Sequence, residues 1–233
     1  MDRGLCFFPT TGCDPSASVL SDLRLEDSGT AYDGRVALYD RLVGNGLYNR
    51  FVWGTSPGSY AAFAAAAVAD SDGPLLDVGC GSALFTAGAY RGAGRRMVLV
   101  DRSLGMLARA ADRLQGHDPE RIAFVQADLL DLPFQVGSFS TRWPATGCCT
   151  CSRTRLRPSV RCARQLAPTG SLYATALVAE TAVGGRALAL LHRRGEAAAP
   201  RRAHELADIA RTELGVAIRM HREGSMIFLT ATP

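Results

Sequence analysis

Apolar runs and helix-forming segments alternate along most of the chain. Four short apolar runs predict buried strands: Pro74–Val78, Arg96–Val100, Ile122–Gln126 and Ser171–Val178. Helix-forming segments predict helices at Ala83–Arg91, Ser103–Leu114 (with Ser103 as the N-cap), Gly185–His192 and Arg202–Leu214. Strands that alternate with helices predict a doubly wound α/β fold, with a mostly parallel sheet covered by helices on both faces.

The two ends of the chain have different patterns. Two runs near the C-terminus, Val216–Met220 and Ser225–Thr230, meet at Glu223-Gly224 and predict an antiparallel edge of the sheet. We expect residues 1–30 to be a poorly ordered leader, because they have no clear period. Residues 31–233 are predicted to be one domain, in which 31–70 form a helical cap and 71–233 form the core.

Composition and charge exclude several classes of protein. Hydrophobic residues make up 47% of the 233 positions, yet no run is long and apolar enough to span a bilayer. We therefore expect a cytoplasmic protein. The net charge is +4 and every basic residue other than histidine is arginine, but no basic block of five or more occurs, so a nucleic-acid partner is not expected. The sequence does not indicate the oligomeric state.

Seven cysteines are present, and three of them cluster at Cys148, Cys149 and Cys151. An odd number does not suit a disulfide framework. The cluster lacks the paired C-x-x-C spacing and the nearby histidine of structural zinc sites. The sequence therefore predicts no metal site.

The segment Leu75–Ala83, which reads LLDVGCGSA, carries the most specific chemical signal. A buried strand runs into Gly79-Cys80-Gly81, where two glycines permit a sharp turn, and a helix-forming stretch follows. A strand, a glycine turn and a helix start form a cradle for a nucleotide cofactor. Asp77 stands at the strand end, and its carboxylate suits a cofactor with a positive group better than a pyrophosphate.

Two further carboxylates follow the next two predicted strands. Asp101 lies 24 residues after Asp77, at a position where an acidic residue typically binds ribose hydroxyls; the alternative is a helix N-cap or a solvated turn. Asp128 follows the third strand, where a carboxylate can hold an adenine amino group. For Asp128 the alternative is an exposed turn residue.

These residues, with Ala127-Asp128-Leu129 and Leu132-Pro133-Phe134, resemble those of class I S-adenosylmethionine-dependent methyltransferases. The resemblance is greatest to the small-molecule subgroup that includes the ubiquinone and menaquinone methyltransferases. It implies a Rossmann-like, seven-stranded sheet, S-adenosyl-L-methionine as cofactor and a small-molecule methyl acceptor.

The resemblance also implies a set of cofactor-binding residues. Gly79, Cys80 and Gly81 would wrap the methionine part, and Asp77 would lie near the ammonium group or its water network. Asp101 would bind the ribose, Met106 would pack on the adenine, and Asp128 with Leu129 would hold the adenine edge. Arg102, next to Asp101, completes the set.

The sequence identifies no catalytic residue. His192, His204 and His221 are candidates for a general base by residue type alone, and methyl transfer of this class does not require one. Tyr48 and Trp53 could cap the cofactor or shape the acceptor pocket, although core packing explains them equally well.

Two other functions compete with the methyltransferase. A nicotinamide-dependent oxidoreductase would need a third glycine where Leu84 stands. The chain could also be an inactive relic that binds S-adenosylmethionine, because the segment 140–163 departs from the pattern of the family.

The segment 140–163 should begin with a central apolar strand, but it contains Arg142 and Pro144. Burying an arginine is costly, and a proline removes a donor from the ladder of a central strand. We hypothesise a shifted reading frame: GC-rich codons for Thr141–Arg155, read one frame away, give FDAVACNGVLHVLPDP from Phe139. That string resembles the family's fourth strand and the loop after it.

Overall fold

The computed structural model describes residues 20–21, 36–116, 121–128, 132–134, 139–144 and 166–232. The strands are β1 (Leu20–Ser21), β2 (Leu75–Val78), β3 (Met97–Asp101), β4 (Ile122–Gln126), β5 (Phe139–Pro144), β6 (Leu166–Leu177), β7 (Ile218–Glu223) and β8 (Met226–Ala231). The helices are α1 (Val36–Val43), α2 (Gly46–Tyr48), α3 (Pro57–Ala69), α4 (Ala87–Arg91), α5 (Leu104–Arg113), α6 (Ala182–Arg193) and α7 (Ala203–Leu214). A π-helical turn, Asn49–Trp53, continues α2 directly.

The described strands form a single sheet in the order β1-β4-β3-β2-β5-β6-β8-β7. In this sheet order, each neighbouring pair from β1 across to β6 is parallel. Strand β8 then pairs antiparallel with β6 on one side and with β7 on the other. From β2 the chain winds outward through β3 to β4, and it then returns to place β5 on the other side of β2. The predicted doubly wound α/β fold with an antiparallel edge is therefore confirmed.

The strand count differs from the predicted seven, because eight described strands share the sheet. The additional strand, β1, has two residues that pair with β4 and lie within the segment predicted to be a leader. Strands β2, β3 and β4 match their predicted runs to within one residue at each end.

Strand β5 forms although Pro144 argued against a central strand at this position. Phe139–Pro144 pairs with β2, and Pro144 lies opposite Val78 at the last position of the ladder. A missing N–H is tolerated at the end of a strand, where few ladder bonds follow. Strand β6 also begins earlier than predicted, at Leu166, because a register shift against β5 accommodates the residues before Ser171.

The sheet is buried on both faces around β2. Leu75 packs toward α4 and α5 with Tyr90 and Leu107, whereas Leu76 packs on the opposite face with Phe134. This two-sided burial explains why β2 reads as a continuous apolar run. Within the described residues, no helix combines the length and the apolar character needed to cross a membrane.

Helix α4 is shorter than predicted and begins at Ala87 instead of Ala83. Ala83 adopts φ 52°, in the left-handed region that a residue with a Cβ seldom occupies, so the chain cannot be helical there. By contrast, the predicted N-cap of α5 is confirmed: the Ser103 hydroxyl accepts the Met106 N–H at 3.2 Å.

Candidate functional site

The glycine turn lies where the winding direction of the sheet reverses. Strands β3 and β5 flank β2, and the chain after β2 turns toward one side while β5 occupies the other. In open α/β sheets the crevice at the carboxyl ends of such strands is the usual ligand site. The topology therefore places Gly79-Cys80-Gly81 at the expected binding crevice.

The backbone of this turn, hereafter the cofactor turn (residues 79–81), is fixed by its neighbour β3. Gly79 and Gly81 have φ 73° and 55°, which glycine adopts without strain. The N–H groups of Gly79 and Cys80 both donate to the Val100 carbonyl, at 2.7 and 3.0 Å. A Cβ placed on Gly81 would meet no atom within 4 Å, so open space adjoins the turn at this residue.

Asp101 connects the cofactor turn to α5. Its Oδ2 accepts the Gly81 N–H at 2.9 Å, and its Oδ1 accepts the Ser103 N–H at 2.9 Å. The side chain is half-buried. Asp101 therefore joins the cofactor turn to the start of α5 through both of its carboxylate oxygens.

Other predicted site residues lie close to Asp101 along the same sheet edge. The Ala127 N–H donates to the Asp101 carbonyl at 3.2 Å, which holds the half-buried Asp128 beside it. Met106 is buried in the first turns of α5, whereas Arg102 is exposed and its carbonyl accepts from the Gln126 side chain at 3.1 Å. Leu129 lies outside the described residues.

Asp77 is placed differently from the other carboxylates, because it has no exposed surface. Its Oδ2 accepts the hydroxyl of Tyr90 at 2.8 Å. Burial and the Asp77 charge raise the pKa of Tyr90, so the phenol remains neutral and acts as the donor. Asp77 thus supports the cofactor turn from within the protein. Tyr90 was not predicted, since nothing in the sequence pairs it with Asp77.

A segment before the sheet, hereafter the strap (residues 36–55), is anchored to the last hairpin. The Ser225 N–H donates to the Trp53 carbonyl at 2.7 Å, and the Thr55 hydroxyl donates to Glu223 at 3.1 Å. A Cβ on Gly224 would lie 2.3 Å from the Trp53 carbonyl oxygen, so only glycine fits at this contact. Trp53 is buried and Tyr48 is half-buried, and their rings meet edge to face.

An open groove of 660 Å³ lies between α3 and the edge strand β7. Glu223 and His221 line one end, with Phe63 and Phe228 among the apolar lining residues. Hydrogen bonds from Ser59 and other neighbours lower the pKa of Glu223. Four strand spacings, roughly 19 Å, separate β7 from β2, so the groove is remote from the cofactor turn.

The three candidate histidines are not grouped around the cofactor turn. His221 contacts Glu223 at the distant groove, His192 contacts the Ala197 carbonyl, and His204 is exposed on α7. Cys80 is buried, and its thiol lies 3.5 Å from the Gly81 carbonyl oxygen. The cysteine cluster at 148–151 lies outside the described residues. The described part of the chain holds no group of ligands suited to a metal ion.

A family model matches the central part of the chain. Residues 75–170 match the family model described as a methyltransferase domain, and this range covers β2 to β6. No curated protein matches the sequence.

Solved structures of methyltransferases share the fold. One is a chain of the complex between the Haloferax volcanii Trm112 methyltransferase activator and the putative methyltransferase: 15% identity, TM-score 0.65, 88% of this chain and 99% of that one covered. Another is Haemonchus contortus phosphoethanolamine N-methyltransferase 2, with 15% identity and a TM-score of 0.66 over 86% of this chain and 57% of that one. A third is geranyl diphosphate C-methyltransferase from Streptomyces coelicolor A3(2), with 14% identity and a TM-score of 0.57 over 75% and 74%. Residues 75–170 thus match the model of a methyltransferase domain, and this match bears out the predicted class of enzyme.

Proposed function

We propose that the chain transfers a methyl group from S-adenosylmethionine to a small-molecule acceptor at the carboxyl ends of β2 and β5. The observation that carries this proposal is the arrangement around Asp101. Its half-buried carboxylate fixes Gly81 and Ser103, and open space adjoins Gly81 at the point where the winding of the sheet reverses. The methyltransferase domain match over these strands supports the same reaction.

The cofactor turn argues against a dinucleotide. Pyrophosphate sites use the free backbone N–H groups of the turn and of the helix that follows it. Here the N–H groups of Gly79, Cys80 and Gly81 all donate within the protein, and α4 begins only at Ala87. A carboxylate-lined crevice without free N–H donors in its turn suits a sulfonium cofactor better than a diphosphate.

We assign the predicted binding residues to S-adenosylmethionine in the following roles. We assign Asp101 to the ribose hydroxyls, Asp128 with Leu129 to the adenine edge, and Met106 to the adenine face. Gly79, Cys80 and Gly81 face the methionine part, and Arg102 borders the ribose. Asp77 acts indirectly, because its side chain is fully buried and accepts the Tyr90 hydroxyl.

When bound, S-adenosylmethionine supplies an electrophilic methyl group, and the chain supplies orientation and a site that excludes water. The strap also contacts the last hairpin, where the Ser225 N–H donates to the Trp53 carbonyl. No histidine is assigned as a general base.

The class of acceptor is proposed from the sequence and from the neighbours. The similar structures act on phosphoethanolamine and on geranyl diphosphate, by their names, and these are small molecules with different acceptor atoms. We place the chain in the small-molecule branch, near the ubiquinone and menaquinone enzymes, because of Leu132-Pro133-Phe134 and the pattern before it. No nucleic-acid partner is expected, and the cytoplasmic location stays a prediction from composition.

Calorimetric titration with S-adenosylmethionine tests the proposal. We expect the wild-type chain to bind, and Asp101→Asn to bind at least about tenfold more weakly, because its amide NH₂ group must face one of the two backbone donors. Asp72→Asn, at an exposed position, should bind as the wild type does. Binding of NADH without binding of S-adenosylmethionine would reverse the assignment.

The shifted reading frame in 140–163 also stays a proposal. The domain match spans this segment, and Phe139–Pro144 forms a strand as the chain stands. Sequencing of the source DNA tests the idea, which fails if close relatives share the same frame.

The domain boundaries at residues 30 and 70 can be tested by limited proteolysis.

A further inference from the structure

Asp40 on α1 makes a closed ring of contacts with two other segments. Its Oδ1 accepts the Ser82 hydroxyl at 2.5 Å, and its Oδ2 pairs with the Arg113 guanidinium at 2.7 Å. Arg113 also donates to the Ser82 carbonyl at 2.6 Å. The strap, the residue after the cofactor turn and the end of α5 therefore meet at one buried-to-half-buried cluster.

The position of Ser82 gives this ring its importance. Ser82 follows Gly81 directly, and Asp101 holds the N–H of Gly81. A displacement of Ser82 thus moves Gly81 relative to the proposed ribose ligand. Gly44, just after α1, also lies near Leu84, since a Cβ built on Gly44 would come within 3.3 Å of the Leu84 side chain.

The environment makes the Asp40 contacts strong enough to couple these segments. The side chains of Asp40 and Arg113 are only 11% and 26% exposed, and charge-assisted hydrogen bonds gain strength as water is excluded. By comparison, the Asp208–Arg211 pair on α7 is 66% and 50% exposed, and pairs of that kind contribute little.

We propose that Asp40 is a positioning residue for the cofactor: through Ser82 and Arg113 it couples the strap to the cofactor turn. Binding of the cofactor and docking of α1 then strengthen each other, because both require Ser82 in the same place. This inference rests on the proposed function of the cofactor turn. It goes beyond that function by adding a residue that does not touch the cofactor.

The test uses the full-length chain and S-adenosylhomocysteine as the probe, so that no acceptor is needed. Asp40→Asn keeps the size of the side chain but removes its charge, and we expect the Kd for the probe to rise about tenfold. Ser82→Ala removes only the hydroxyl and should give a smaller increase. The two effects should be non-additive in the double variant, since both remove the same bond. The matched control Asp208→Asn should leave the Kd unchanged.

Hydrogen exchange separates coupling from a purely structural role. In the wild type, the probe should slow exchange in residues 36–43, and in Asp40→Asn this slowing should be lost even where the midpoint of thermal unfolding is unchanged. If Asp40→Asn does not fold, Ser82→Ala carries the same test. A wild-type Kd in both variants overturns the inference and leaves the proposed function intact. Failure of the wild type to bind the probe overturns both.

Discussion

Tyr90 and Tyr173 offer a matched test of how burial changes the value of one hydrogen bond. Each hydroxyl donates to a carboxylate, at 2.8 Å to Asp77 and 2.9 Å to Asp70. Asp77 is fully buried, whereas Asp70 is exposed and can be rehydrated when its partner is lost. We expect Tyr90→Phe to lower the free energy of unfolding by about 1–3 kcal/mol, and Tyr173→Phe by less than about 1 kcal/mol.

Denaturant unfolding of both variants measures this difference. Equal losses would mean that burial of Asp77 adds nothing to its bond with Tyr90. Binding of S-adenosylmethionine by Tyr90→Phe should also weaken, because Asp77 lies two residues before Gly79 in the strand that enters the cofactor turn.

At the scale of an element, the side chain of Arg95 satisfies carbonyl groups at the C-terminus of α3, although it is distant in sequence. Its guanidinium donates to the carbonyls of Ala67, Val68 and Gly73, at 3.3, 3.1 and 2.6 Å, and the residue is buried. A cation at a helix C-terminus satisfies orphan carbonyls and complements the dipole. We expect Arg95→Met to cost roughly 2–3 kcal/mol by thermal or chemical unfolding. Arg96→Met, at the exposed next position, should cost little, and a similar loss in both would contradict this role.

Two helical glycines should respond to alanine in opposite ways. A Cβ on Gly184, in the first turn of α6, would lie 2.2 Å from the Ser225 hydroxyl oxygen, whereas a Cβ on Gly88 in α4 would meet nothing within 4 Å. Gly184→Ala should therefore destabilise by about 1–3 kcal/mol through overpacking. Gly88→Ala should stabilise by roughly 0.5–1 kcal/mol, because alanine favours the helix. Stabilisation by Gly184→Ala would show that the α6–hairpin junction can move apart.

The accuracy of prediction from sequence also differs from element to element. Strands β2, β3 and β4 were predicted closely because each is a short apolar run that the sheet buries. The start of α4 was missed because the left-handed Ala83 depends on the tertiary structure of the turn. Pro144 was misjudged because its cost depends on its place in the ladder, which the register alone reveals.

The candidate site divides in the same way. The cofactor turn, Asp101 and Asp128 follow from their spacing along successive strands, and the structure brings them to one edge of the sheet. Tyr90 and Asp40 could not be predicted. No sequence motif links Tyr90 to Asp77, and Asp40 is distant in sequence from its partner Ser82.

For the whole molecule, the two buried tyrosines predict a loss of stability at high pH. Burial raises the pKa of Tyr173 to about 12 and moves that of Tyr90 in the same direction, compared with 10.0 for an ordinary tyrosine. When the pH lies between the ordinary and the raised tyrosine pKa, these hydroxyls lose their protons in the unfolded chain but keep them in the folded chain. The free energy of unfolding should therefore be unaffected by these groups below pH 10, and it should fall as the pH rises toward 12.

Urea unfolding at a series of pH values from 8 to about 12 checks this trend. The fall should be shallower in the double variant Tyr90→Phe/Tyr173→Phe, which cannot lose those protons. An identical slope in the variant and the wild type would mean that other groups cause the alkaline loss.

The bond between Thr55 and Glu223 spans 168 positions of the chain. A ribosome must therefore synthesise the last hairpin before the strap can reach its final place, long after β2 has emerged. Loop closure over that distance is slow, and a nascent chain exposes its unpaired sheet edge during the delay. We therefore expect this protein to depend on chaperones during synthesis more than its thermodynamic stability alone would indicate.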